Sequence, residues 1–306
     1  MNPVKVQVPA TSANCGPGFD CLGLALQLYN YFTFTPDESA KAYSYTFTGF
    51  GADLLEKEDP AKNLIGFAME QLFAKAQEPA IHGHIQSDTM IPPSRGLGSS
   101  STAIVGGLLL ANALVSKPLS KEELLLIANR MEGHPDNVAP AIYGSLCCAK
   151  GLKDKVLNTV ITVPEELHFA VVVPEIIVST EYARSVLPAH VPFKEAANNV
   201  GNAALLVTSM ITHQLENIGV ALEDHLHVPY RKTLIPHCDE VFAAAKMVGA
   251  YGSTISGSGS TLIAYVPKES VAAVAKAMGD VFTCHGVENK TYTLMADSQG
   301  ASVVEE

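Results

Sequence analysis

The chain has 306 residues, 47% of them hydrophobic, enough to bury a sizeable core in one large domain or two ordinary ones. The 20 Lys and Arg residues stand against 31 Asp and Glu, a formal charge of -11, which excludes broad binding to nucleic acid or to an anionic membrane because both need clustered cations. No apolar run reaches the ~18 residues that would span a bilayer.

Met1-Asn2-Pro3-Val4-Lys5-Val6 has no signal core and no Arg-rich presequence, so a cytoplasmic protein is expected. Val4 to Val8 alternates apolar and polar residues and predicts a half-buried strand that Pro9 ends. A loop from Ala10 to Phe19 follows and leads into an apolar helix. Tyr29 to Phe34 and Tyr43 to Phe50, rich in aromatic and β-branched residues with Pro36-Asp37-Glu38 between them, predict strands of an antiparallel sheet. Helical spacing runs from Asn63 to Lys75. Ser101 to Leu114 is small, apolar and uncharged, a helix buried on nearly every side, with Gly106 and Gly107 marking close packing. Ser120 is an N-cap with acids in the next turn, opening a helix to about Met131, and Glu132 to Pro140 is a polar break. Pro164-Glu165-Glu166 marks a lobe boundary before His168 to Pro174, a strand buried on both faces. Helices are predicted around Asn198 to Leu215, Cys238 to Met247 and Ser270 to Met278; Thr254 to Ser260 is a Gly-Ser loop entering the strand Thr261 to Val266. Strands and helices without regular alternation predict an α+β fold in two lobes. Six scattered cysteines without a CxxC pair fit free thiols, with Cys147-Cys148 in the core.

Four loops concentrate chemistry. From Pro93 to Thr102, two glycines turn backbone amides toward one point and four hydroxyls follow at a helix mouth, which makes either an anion cradle or a Ser-rich helix cap. The segment fits neither GxxxxGK(S/T) nor GxGxxG. Thr11 to Asp20 holds Asn14, donor and acceptor, and Asp20, acceptor only, a set suited to an amino-and-hydroxyl ligand or to an Asx-capped turn. Glu132-Gly133-His134-Pro135-Asp136-Asn137 packs groups useful for Mg²⁺ or for protons, or forms a turn between helices. Ser256 to Ser260 either brings amides to a ligand or is a tight turn. Arg184 and Arg231 are carboxylate forks or surface charges in a chain poor in cations.

Together the segments PATSANCGPGFDCLG, PPSRGLGSSSTA and GAYGSTISGSGST resemble the three motifs of the GHMP kinase family in order and spacing. NCGPGFDCLG with EGHPDNVAPAIYG resembles its homoserine-phosphorylating branch, and Thr11 and Ser12 stand where mevalonate-type members carry a Lys. The resemblance implies an N-terminal lobe over 1–160 like domain 2 of ribosomal protein S5, and a ferredoxin-like C-terminal lobe over 161–306. It implies ATP and Mg²⁺ as cofactors, L-homoserine as substrate and a homodimer. Another small-molecule kinase of the family, acting on mevalonate, shikimate or a sugar, and a non-catalytic ligand sensor remain as alternatives. Implied roles are the triphosphate for Pro92, Pro93, Ser94, Arg95, Gly96, Leu97, Gly98, Ser99, Ser100, Ser101 and Thr102, and the metal for Ser99 or Ser100 with Glu132, Asp136 being the choice in place of Glu132 if that assignment fails. Homoserine falls to Asn14, Asp20, His134, Thr180, Arg184, Arg231 and Gly257, with Asp20 taking the ammonium and the arginines the carboxylate. Asp136, as proton acceptor, and Asn137, on the γ-phosphate, are the catalytic candidates.

Overall fold

Residues 2–57 and 59–304 are described in the structure, a computed structural model. Strand β1 (Val4–Ala13) buries Val6, Val8 and Ala10 completely and pairs antiparallel with the long β2 (Leu22–Pro36). Pro9 does not end β1. The register shifts between Pro9 and Ala10, an irregularity that tolerates the missing N–H, and the strand runs on to Ala13. The segment after the first loop is likewise strand rather than helix: Leu22, Leu24, Ala25 and Leu26 are all buried, so both faces of β2 are covered and no alternation is visible.

Next come β3 (Ser44–Gly49), the short α1 (Ala52–Leu55), α2 (Leu64–Ala76) and β4 (Gly83–Thr89). Strand β4 inserts between β2 and β3, antiparallel to the first and parallel to the second, so the expected wholly antiparallel arrangement does not form. Asn63 caps α2 through a bond from Ile65 N–H. Helix α3 (Ser99–Asn112) lies between α2 and the sheet, and its paired glycines make that possible. A Cβ on Gly106 would stand 2.4 Å from the Phe32 ring, and one on Gly107 would stand 2.3 Å from the Ile65 carbonyl oxygen. Phe32, Phe34, Met69, Leu72, Phe73 and Ile85 fill the core beneath, where truncating one Phe to Ala costs about 3–5 kcal/mol.

Helix α4 (Lys121–Glu132) opens on a capping box between Ser120 and Glu123. Only Gly133 and His134 separate it from α5 (Pro135–Tyr143), so the polar break is shorter than the sequence predicts. Pro135 occupies the first helical turn, where its N–H is not needed. Pro140 lies inside α5 and cannot bond the Asp136 carbonyl; Gly23 of β2 packs against that carbonyl, where a Cβ would collide. Strands β5 (Leu146–Gly151) and β6 (Val156–Ile161) extend the first sheet as a branch from β2.

The second sheet contains β7 (Leu167–Pro174). The chain then passes through α6 (Thr180–Ser185), α7 (Phe193–Thr212), α8 (Ile218–Ala221), α9 (Val228–Arg231) and α10 (Cys238–Met247). Strands β8 (Gly252–Ile255) and β9 (Leu262–Pro267), helix α11 (Val271–Cys284) and strand β10 (Asn289–Leu294) follow. The order is β10-β7-β9-β8, all antiparallel. Every residue of β7 is buried, because α10 and α11 cover one face and the first lobe the other. Leu22, Leu24 and Leu26 share a continuous core with Phe169, Val171 and Tyr265, so the two sheets are packed together. The chain finally returns to the first sheet, where β11 (Ser302–Val303) pairs with β1. All six cysteines are free; Cys147 is buried as expected, whereas Cys148 points outward.

Candidate active site

The turn before α3 is built from left-handed residues: Ser94, Gly96 and Gly98 have φ of 55°, 81° and 70°. Close approach as well as φ demands the second glycine, since a Cβ on Gly98 would stand 2.0 Å from Thr11 Oγ1. Gly98 caps α3 without any side-chain bond, so the first amides of a 14-residue helix are free to meet an anion. The fourth loop braces this turn from behind. Ser256 Oγ donates to the Gly96 carbonyl at 2.6 Å, and Thr261 N–H donates to the Arg95 carbonyl at 3.0 Å.

The first loop is also left-handed at Asn14, Cys15 and Asp20. Asn14 holds it in shape, donating from Nδ2 to the Gly257 carbonyl at 3.0 Å and accepting from Asp20 N–H at 3.1 Å. Asp20 in turn receives a two-pronged bond from Arg184, Nη2 to Oδ1 at 2.6 Å and Nη1 to Oδ2 at 3.2 Å. That bond raises the Arg184 pKa. Arg231 is only 2% exposed and donates to the carbonyls of Ala183 and Gly257. Burial, and then Arg184 nearby, bring its pKa down to about 10.

Between these loops sits the α4–α5 turn. His134 Nδ1 lies 2.8 Å from Asp136 Oδ1, and this bond raises the imidazole pKa despite partial burial. Burial pushes the Glu132 carboxyl up, while Ser100 Oγ donates to it at 3.3 Å. Thr11 Oγ1 donates to Asn137 Oδ1 at 2.8 Å, which fixes the amide and leaves its N–H donors for a ligand.

A cleft of about 380 Å³ joins these groups. Lining it are Asn14, Asp20, His134, Asp136, Asn137, Thr180, Arg184, Arg231 and Gly257, together with Glu132, Pro93, Ser94, Gly96, Gly98, Ser99 and Ser100. Five residues of the phosphate segment lie outside the lining. Pro92, Leu97, Ser101 and Thr102 face inward, Thr102 Oγ1 taking a bond from Asn30 Nδ2 at 2.8 Å, and Arg95 pairs with Glu175 at 2.8 Å. No Lys lines the cleft among the described residues.

No motif marks the far end of the cleft, where Asn30, Phe32, Phe47, Asn63, Leu64, Ser87 and Thr89 form a mixed apolar and amide pocket. One signal was present: Asn30 shares its strand face with Phe32 and Phe34, a polar residue on a core face. Its Oδ1 accepts from Met90 and Ile91 N–H and so carries the chain toward the phosphate loop.

Residues 63–145 match the GHMP kinases N terminal domain, and residues 204–284 match the GHMP kinases C terminal region. The chain is a GHMP kinase. This GHMP kinase is 41% identical over 303 residues to the homoserine kinase of Desulfitobacterium hafniense, spanning 98% of this chain and 100% of that one. It is also 41% identical to the homoserine kinase of a Picosynechococcus species, spanning 99% and 100%. The crystal structure of homoserine kinase from Cytophaga hutchinsonii superposes with a TM-score of 0.92 at 27% identity, over 99% of this GHMP kinase and 98% of that chain. A mevalonate kinase structure, 14% identical with a TM-score of 0.69 and covering 96% and 99%, shares the fold.

Proposed function

We propose that this GHMP kinase transfers the γ-phosphoryl group of ATP to the side-chain hydroxyl of L-homoserine, giving O-phospho-L-homoserine in threonine biosynthesis. One observation carries the reading: a single cleft holds a Gly-Ser phosphate cradle at one end of α3 and, beside it, one carboxylate with two guanidiniums. Asp20 suits an ammonium, and Arg184 with Arg231 suit a carboxylate, which together describe an amino acid. The naming of the relatives at 41% identity supports the same acceptor.

In the reaction the acceptor oxygen forms a bond to the γ-phosphorus, the bond from that phosphorus to the β,γ-bridging oxygen breaks, and ADP leaves with the electron pair. Gly96, Gly98 and the free amides of α3 cradle the phosphates. Asn137, oriented by Thr11, donates to a γ-phosphate oxygen. The oxygen donors at the helix mouth fit Mg²⁺: the Ser99 hydroxyl and the Glu132 carboxylate would hold it. When bound, the metal neutralises phosphate charge. Asp136 lines the cleft beside the acceptor groups, held in orientation by its bond to His134, and takes the hydroxyl proton as that proton leaves. With no Lys among the described residues of the lining to sharpen a base, the rate comes from alignment and charge neutralisation. Phosphorus NMR of a mixture of enzyme, Mg²⁺-ATP and homoserine tests this. A new phosphomonoester on the homoserine γ-carbon is expected, and ATP consumption without that ester would overturn the reading.

A further inference from the structure

Phe19 is half-buried, does not line the cleft and takes no part in the chemistry above, yet both acceptor-site arginines converge on it. The Arg231 guanidinium carbon lies 5.1 Å from the centre of the ring and that of Arg184 lies 5.4 Å from it. Both are within the ~6 Å over which the negative face of an aromatic ring attracts a cation. The two guanidiniums repel each other, and they are unequally compensated. Arg184 has Asp20, whereas Arg231, buried and bonded only to two backbone carbonyls, forms no ion pair among the described residues.

The ring is itself held from below. The His227 imidazole, fully buried, packs against it at 5.3 Å between centres and 38° between planes. Nε2 of His227 donates to the Gly16 carbonyl at 2.9 Å, and burial lowers the pKa of the imidazole. Asp224 fixes the backbone there by accepting from the N–H groups of Leu226, His227 and Val228. On the other side of the loop, Asn199 Nδ2 donates to the Pro17 carbonyl at 2.7 Å. The strained segment that carries Asn14 and Asp20 is thus clamped at Gly16 and Pro17, and Phe19 projects from the clamp toward the arginines.

We infer that Phe19 is a positioning residue: its ring face holds Arg184 and Arg231 together as one fork for the acceptor carboxylate, set in place by His227 beneath it. The inference rests on the acceptor reading above. It assigns to the aromatic ring an electrostatic job that an aliphatic side chain of similar bulk cannot do. Two such contacts, one of them to a desolvated guanidinium, correspond to about a 5- to 30-fold change in acceptor affinity.

The test replaces Phe19 with mono-, di- and trifluorophenylalanine, which drain the ring face of negative charge while keeping its shape, so that folding is not at issue. The expected result is a homoserine KM that climbs with each fluorine, with kcat and the ATP KM within about two-fold of wild type. Phe19→Leu should raise the homoserine KM about 5- to 30-fold and Phe19→Tyr should restore it. An amino alcohol without a carboxylate should show no dependence on fluorination. A wild type that turns over homoserine, with a homoserine KM flat across the series, overturns the inference and leaves the acceptor reading intact. A wild type that ignores homoserine overturns the acceptor reading and the inference with it.

Discussion

Asp20 and Arg184 occupy each other in the free enzyme, and the proposed substrate must separate them: its ammonium replaces Arg184 on Asp20 while its carboxylate replaces Asp20 on Arg184. Asp20→Asn keeps the shape of the side chain and removes its charge. A hydrogen bond to a charged group contributes roughly 1.5–3 kcal/mol. The Asp20 side chain is 36% exposed, so solvent screening places the loss at the low end, about 1.5 kcal/mol, which is about a ten-fold rise in the homoserine KM. The free protein loses only a half-exposed ion pair, at most about 1 kcal/mol, and its Tm falls by about 3 °C or less. Steady-state ADP release measured against homoserine and against γ-hydroxybutyrate, which lacks the amine, separates binding from folding. The variant should weaken homoserine and leave γ-hydroxybutyrate unchanged or improved. An unchanged homoserine KM, or an equal loss for both acceptors, would refute the assignment of Asp20 to the ammonium.

Gly98→Ala forces a methyl group against Thr11 Oγ1 at a left-handed position, displacing the bond that orients Asn137. Turnover measured at saturating substrates should fall at least about ten-fold, because small misplacements of reacting groups are costly. Glu132→Gln should abolish Mg²⁺-dependent turnover yet leave the Tm of the metal-free protein at pH 8 no lower than wild type, since it removes a carboxylate whose charged form burial disfavours. His134 has a folded pKa above its ordinary 6.5, so the stability it contributes is fully present below that value and is lost as pH rises through the folded pKa. Thermal unfolding should therefore show His134→Gln falling further below wild type at pH 6 than at pH 9, and a gap that widens with pH would contradict the pairing with Asp136.

The parts of the site that were legible in the sequence are those whose chemistry is local. Gly96 and Gly98 announce a left-handed turn at a helix mouth, because amide-rich turns need glycine wherever they occur, and that turn stands before α3. The Ser120 capping box and the span Cys238 to Met247 are likewise set by near neighbours. What depended on distant contacts was not legible. Leu22 to Leu26 looked helical because a strand covered on both faces has no alternation, and the parallel pairing of β3 depends on β4 arriving some 40 residues later. Nothing in Tyr230-Arg231-Lys232 says that Arg231 is buried; α9, the Gly257 carbonyl and the Phe19 ring enclose it. Nothing in the sequence marks the exposed strands β6 and β10, because each carries polar residues with only one fully covered position, at its end. The resemblance gives the whole of Pro92 to Thr102 to ATP; a motif does not reveal that the side chains of Pro92, Leu97, Ser101 and Thr102 turn inward and that Arg95 pairs with Glu175.

Whether the cleft selects an amino-acid alcohol is decided by kcat/KM for ADP release across homoserine, threonine, serine, shikimate and mevalonate. A site that must satisfy a buried guanidinium and a carboxylate rejects acceptors lacking either partner group, so homoserine should exceed shikimate and mevalonate by at least about 100-fold. It should also exceed serine and threonine, whose hydroxyls sit one carbon closer to the charged end. Mevalonate or shikimate turned over faster than homoserine would contradict the account.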